Sequence, residues 1–106
     1  MTESQFLHAV ELTLAQIEAA LDEAGIDADS AISGLVLTID LDAGARIVIN
    51  AQTPTRQLWL AARSGGMHFV HDGVAWHDLR TGEEFFDALS RVISTQTGTA
   101  VCLQPR

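Results

Sequence analysis

An α+β two-layer sandwich, with two helices packed on one face of an antiparallel β-sheet in the order α-β-β-β-β-β-α, is the fold this 106-residue sequence predicts. Three observations carry it. Apolar residues recur every three or four positions at both ends of the chain, the period of a helix buried along one stripe. Between those ends, apolar and polar residues alternate in short segments separated by Gly, Pro and Asp-Gly, as strands with one covered face do. At 47% hydrophobic, the chain can bury one modest core as a single domain over residues 1–106, without disulfides or metal.

In order, Thr2 and Gln5 have the spacing of a capping box, so a helix starts near Glu3. Phe6, Val10, Leu14, Ile17, Leu21 and Ala24 form its buried stripe, and Gly25 offers a stop. Leu12 falls nearly opposite that stripe, with no packing role to explain it. Asp27 and Asp29 lie in the loop that follows. Leu35, Leu37, Ile39 and Leu41 alternate with Val36, Thr38 and Asp40 in a first strand, and Ile47 and Ile49 with Arg46, Val48 and Asn50 in a second. Asp42 to Gly44 turns between them. Pro54 ends the next connection, residues 56–62 form the third strand, and Ser64-Gly65-Gly66 turns into residues 67–71. Asp72-Gly73 reads as a two-residue type I′ turn leading to residues 74–77. That register puts Phe69 and Trp76 on one face and sets His68 beside His77 on the other. Thr81 and Glu84 form a second capping box, and Phe85, Phe86, Leu89, Val92 and Ile93 give the stripe of a closing helix that ends at Gly98. Residues 100–103 are an apolar tail able to pack, extended, on the body.

Charge narrows the function. The net charge of −8 comes from 14 acidic residues against six arginines and no lysine, and residues 1–42 hold nine of the acids and no arginine. Such a half repels phosphate backbones, which excludes nucleic acid as a partner, and attracts cations or a basic protein surface. No stretch approaches the roughly 20 apolar residues of a membrane span, and the N-terminus lacks the basic and apolar regions of a signal peptide or an Arg-rich transit sequence. Cys102 is the lone cysteine, so no internal disulfide forms. A cytoplasmic protein with no membrane association is the expectation.

At about 100° per residue, Glu11, Glu18 and Asp22 fall together about a quarter-turn from the buried stripe. Glu23, Asp27 and Asp29 extend this ridge. A charge run is usually a solvated face, but ordinary solvated helices interleave Lys or Arg and this one has neither. The ridge supplies oxygen ligands only, which suit hard or borderline cations. Carboxylates on a convex helix cannot all converge, so each cation would be held by one or two of them plus water, weakly and reversibly.

A second surface follows from Leu58 and Leu60, which alternate with Gln57, Trp59 and Ala61. With the leucines inward, Trp59 points out beside an amide, an arrangement suited to recognition. The opposite register would bury Trp59. His68 and His77 side by side would offer two imidazoles but no third ligand, so they and His8 read as surface histidines. Cys102 has no His–Asp context, Ser64 has no nucleophile elbow, and no phosphate-binding loop is present. The chain reads as a binding module and not an enzyme.

Asn50, Gln52, Pro54, Gln57 and Trp59, followed by Ser64-Gly65-Gly66 and His68-Phe69, resemble the signature of the frataxin family, in its bacterial, CyaY-type form. The likeness covers essentially the whole chain. One departure is Ala51, where the family usually has Arg. The resemblance implies an iron-binding protein that regulates or supplies iron for iron–sulfur cluster assembly. It implies iron, Fe²⁺ or Fe³⁺, on Glu11, Glu18, Asp22, Glu23, Asp27 and Asp29, and docking of the ridge, Glu18 and Asp22 included, on a cysteine desulfurase and its scaffold protein. Asn50, Gln52, Gln57, Trp59 and His68 match positions through which family members meet that machinery. A mainly monomeric protein with iron-dependent oligomers is expected. The alternative is an iron store that oxidises and sequesters Fe²⁺, which would need oligomers or a fixed di-iron site; the Glu-x-x-His helix motif of such a site is absent from the sequence.

Overall fold

Thr2 opens the first helix, α1 (Glu3–Glu23), through a reciprocal box: its Oγ1 accepts from Gln5 N at 3.2 Å, and Gln5 Oε1 accepts from Thr2 N at 2.9 Å. The computed structural model in which this is seen describes residues 1–105, with the side chain of Ala43 left aside. Phe6, Val10, Leu14, Ile17 and Leu21 form the buried stripe as expected. Ala24 does not extend it. The helix stops at Glu23, Ala24 is an exposed cap, and Ala20 is buried in its place. Gly25, at φ 67°, takes the left-handed turn that ends the helix.

The sheet has six strands, one more than the sequence suggests: β1 (Ala28–Ser33), β2 (Val36–Leu41), β3 (Arg46–Gln52), β4 (Gln57–Ala62), β5 (Gly65–His71) and β6 (Trp76–Asp78). Each pairs antiparallel with its successor, in spatial order β1 to β6. The added strand is β1, so Asp29 stands in a strand and not in a loop. Its hairpin to β2 turns through Gly34 and Leu35, with Gly34 at φ 60°, the position a type II′ loop reserves for glycine. Leu37, Ile39, Leu41, Ile47, Ile49, Leu58, Leu60 and Phe69 form the buried inner face, so Leu58 and Leu60 point inward and Trp59 outward as the alternation predicts.

β5 and β6 meet in a different register from the one expected of Asp72-Gly73. His71 pairs with Trp76, Val70 with His77 and Phe69 with Asp78, so the loop holds four residues, Asp72 to Ala75. The cause is the Asp72 carboxylate, whose Oδ1 accepts from both Val74 N and Ala75 N at 2.8 Å. Phe69 and Trp76 still share the inner face. His68 and His77 share the outer face but are not cross-strand partners, since His77 faces Val70.

The second helix, α2 (Phe85–Thr97), begins later than the Thr81 box implies. Glu84 is its cap, with carboxylate oxygens accepting from Phe86 N at 2.9 Å and Asp87 N at 3.2 Å, while Thr81 Oγ1 accepts from Glu83 N. Phe85, Phe86, Leu89, Val92 and Ile93 are buried, and Gly98 ends the helix at φ 71°. Both helices meet the sheet through aromatic edges: Phe85 stands edge-on to Phe69 with centroids 5.0 Å apart, and Phe6 edge-on to Trp76 at 5.9 Å. Trp76 Nε1 donates to Thr13 Oγ1 at 2.9 Å, which satisfies the one polar atom of a buried indole. The tail runs along α2, held by Ser94 Oγ to Val101 N (2.9 Å) and Ser90 Oγ to Leu103 N (2.8 Å), with Leu103 buried. Among the described residues, no helix is long and apolar enough to cross a membrane.

The His71 ring lies on the inner face against Trp76, with centroids 4.9 Å apart, and its Nδ1 accepts from Gly73 N at 3.0 Å. Burial lowers its pKa below the ordinary 6.5, with Asp72 opposing that shift and His77 adding to it. A folded-state pKa below the unfolded value means that the unfolded chain binds the proton more readily. Stability from the neutral ring is therefore full above about pH 6.5 and is lost as pH falls through the lower folded value. The thermal midpoint of the native chain should fall faster than that of His71→Asn on acidification below that point. Parallel curves would show that His71 does not report the loss.

Candidate functional site

Two surfaces carry the residues singled out from the sequence, one along α1 and the β1 edge and the other on the outer face of the sheet. The first is the acidic ridge. Glu11, Asp22 and Glu23 are exposed on α1, Glu18 is half-buried, Asp27 is exposed in the connector and Asp29 is exposed on β1. Ser30 on β1 donates from Oγ to Glu18 Oε2 at 2.9 Å, so helix and edge strand meet there and the ridge spans both. The fold adds acids to this region that the sequence reading left out. Asp40 stands directly opposite Asp29 in the β1–β2 register, and Arg46 on β3 pairs with it at 2.6 Å. That hydrogen bond and the charge of Asp40 raise the Arg46 pKa. Asp42 shares a cleft of about 570 Å³ with Asp27 and Cys102, closed on one side by the tail. Among the described residues no three His, Cys, Asp or Glu side chains group into a cation cage.

The second surface is the outer face of the sheet. Asn50, Trp59 and His68 are successive cross-strand partners on β3, β4 and β5, and Gln52, Gln57, Val70 and His77 make the next row. Of the seven residues assigned to partner contact from the sequence, Asn50, Gln52, Gln57, Trp59 and His68 therefore lie in two adjacent rows of one face, while Glu18 and Asp22 stand apart on α1. Trp59 and His68 stack with centroids 4.3 Å apart and planes 7° from parallel. Trp59 Nε1 donates to Gln57 Oε1 at 2.8 Å. The indole is thus held rigid and half-buried by groups that are themselves at the surface, a preorganised platform and not a core residue. Ala51 sits between Asn50 and Gln52 but points to the other side, half-buried against the core. Its lack of a guanidinium leaves the outer face unchanged.

His77 cannot join His68 as a chelating pair. Its Nε2 lies 3.0 Å from Asp72 Oδ2 in the β5–β6 loop and its Nδ1 3.2 Å from the Gly82 carbonyl in the β6–α2 connection, so both nitrogens are already engaged. A cleft of about 360 Å³ opens beside His68, between Met67, Arg80 and Arg91. Arg91 is bound there to Glu83 at 2.9 Å. No signal in the sequence anticipates that cleft, because the loop before α2 builds it.

The model of the frataxin-like domain matches residues 1–99. The chain is 47% identical to the iron-sulfur cluster assembly protein CyaY of Janthinobacterium sp. (strain Marseille), over 98% of this chain and 97% of the relative. It is 44% identical to the protein of that name from Neisseria meningitidis serogroup B, over 95% and 94%. Among solved structures, frataxin from Psychromonas ingrahamii superposes with a TM-score of 0.91 at 32% identity, covering 98% of this chain and 99% of that one. Trimeric frataxin from the yeast Saccharomyces cerevisiae, complexed with ferrous iron, superposes with a TM-score of 0.67 at 27% identity, over 93% and 88%. The helix–meander–helix order, the signature on the outer face and these full-length likenesses agree: the chain belongs to the frataxin family.

Proposed function

We propose that this protein serves iron–sulfur cluster assembly as an iron-binding, non-catalytic module of the cytoplasm, docking its acidic ridge on the cysteine desulfurase and presenting its outer sheet face to the scaffold protein. The observation that carries the reading is the pairing of two unlike surfaces on one rigid body. A ridge of carboxylates without interleaved cations suits a basic protein surface and hard cations, and an immobilised Trp59–His68 stack beside amides suits a recognition interface. The relatives' name and the ferrous complex of yeast frataxin support the pathway and the metal. Iron is cargo in this reading. Each ion takes one or two ridge carboxylates and keeps water for the rest of its coordination, so binding is weak and reversible. The ferroxidase or storage alternative would need oligomers or a fixed di-iron site, and for the second of these the described residues of this chain group no three ligands together. The protein acts mainly as a monomer, with iron-dependent oligomers as a side reaction.

Titration with paramagnetic Fe²⁺ or Mn²⁺ tests the metal half. Amide signals of residues 11–29 should broaden first, and the cations should raise the thermal midpoint by mass action. Glu18→Gln with Asp22→Asn should weaken cation binding and raise metal-free stability by a few tenths of a kcal/mol, because like charges at i,i+4 repel in the helix. A double variant that binds as tightly as the parent would move the site elsewhere.

A further inference from the structure

The two edges of the sheet are treated differently. At β6, Asp78 N donates to the Glu83 carbonyl at 2.9 Å and His77 bridges to Glu84, so the residues before α2 close that edge. At the other edge β1 pairs with β2 alone, and Asp29 to Ser33 are all exposed. Edge strands are ordinarily blunted by Lys, Pro or a bulge, because their free N–H and C=O groups template another strand. β1 has none of these. Its register with β2 runs unbroken over six pairs, and its only charge is Asp29.

The side chains along this edge specify what would fit. On the outer face the row runs Arg46, Asp40, Asp29 across β3, β2 and β1. Arg46 neutralises Asp40, and the Asp29 carboxylate has no hydrogen bond or ion pair among the described residues. The position beyond Asp29 lacks its cation. On the inner face Ser30 holds Glu18, a second carboxylate at the same edge, and Ile32 is 43% exposed although it faces Leu37.

We propose that β1 accepts an extended segment of a partner protein as a further strand, one carrying Arg or Lys opposite Asp29 and Ser30 and an apolar residue opposite Ile32. Main-chain bonds would supply the pairing and these alternate side chains the selection. Charge complementarity favours this occupant over a second copy of the chain, which would bring its own net charge of −8 to the same edge. The inference rests on the ridge reading only for the sign of the partner's charge.

The test uses the full chain and a capped hexapeptide, Thr-Val-Thr-Arg-Arg-Val, written to oppose Ser33 through Ala28 antiparallel. Hydrogen exchange of the amides within Ala28–Ser33 should slow saturably as the peptide is added. A version methylated on alternate amides should bind about tenfold more weakly, as loss of two or so main-chain bonds implies. Asp29→Asn should weaken binding of the arginine peptide about threefold or more and leave a threonine-only peptide unaffected. The proposal is overturned by equal binding of the methylated peptide, by no protection of β1 at millimolar peptide, or by protection of those amides in concentrated protein alone, which would assign the edge to a second copy. A desulfurase that binds through Glu18 and Asp22 yet leaves β1 amides unprotected would leave the ridge reading standing and remove this one. Peptide pairing without desulfurase affinity would do the reverse.

Discussion

Trp76→Ala is expected to cost about 3–5 kcal/mol of folding stability, the range for truncating a core tryptophan, whereas Trp59→Ala should cost about 1 kcal/mol or less, the worth of its ring stack. The two indoles differ in what surrounds them. Trp76 is 3% exposed, meets Phe6 edge-on and His71 on another side, and donates to Thr13 in the core. Its removal opens a cavity and takes away one donor to Thr13, whose hydroxyl keeps its bond to the Ala9 carbonyl at 2.7 Å. Trp59 stacks on an exposed imidazole and borrows its hydrogen bond from a neighbouring amide. Its removal opens no cavity. The loss should instead be seen in binding, where truncating a central aromatic anchor commonly costs about 2 kcal/mol or more, some thirtyfold in Kd. Urea unfolding of both variants, set beside affinity for the desulfurase–scaffold complex, separates the roles. Unimpaired binding by Trp59→Ala would remove the outer face from the interface.

Affinity for the desulfurase should fall about a hundredfold between 0.1 M and 1 M salt. Over that range the screening length shrinks from about 10 Å to about 3 Å. Six ridge carboxylates worth about 0.5 kcal/mol each against a basic patch amount to roughly 3 kcal/mol of screenable attraction. The Glu18→Gln, Asp22→Asn variant should bind more weakly at low salt and show a shallower dependence. Isothermal titration across the series decides it, and a flat profile for the native chain would sink electrostatic docking.

The alternation of Leu58 and Leu60 around Trp59 was enough to orient the outer face, because a strand with one covered side must turn every second residue inward. β1 was not legible for the complementary reason: five of its six residues are exposed, and Asp29, Ser30 and Ser33 leave no apolar period to read. Ser33-Gly34 was the available clue, a turn signal just before the next strand. The β5–β6 register failed on competition between two local rules. Asp72-Gly73 favours a two-residue turn, but the same Asp72 carboxylate caps two backbone N–H groups in a longer loop. The start of α2 failed likewise, since a carboxylate at Glu84 outcompetes the Thr81 hydroxyl for the first-turn donors. Ridge membership could be listed from spacing alone. That Ser30 ties Glu18 to the sheet edge depends on a strand the sequence hides.

The meander bears on how the chain is made. Every strand pairs with its neighbour in sequence, so hairpins can close from one end to the other as synthesis proceeds, with little entropy spent on distant contacts. The cover for their apolar face is split between α1, translated before the strands, and α2 with Leu103, translated after them. Until α2 and Leu103 leave the ribosome, Phe69 lacks the edge of Phe85 and half of the inner face has only α1 to shield it. The nascent sheet therefore exposes apolar surface and two open edges together, the combination most prone to aggregation. Emergence of α2 and the tail through Leu103 is the step at which the apolar face of the sheet is closed.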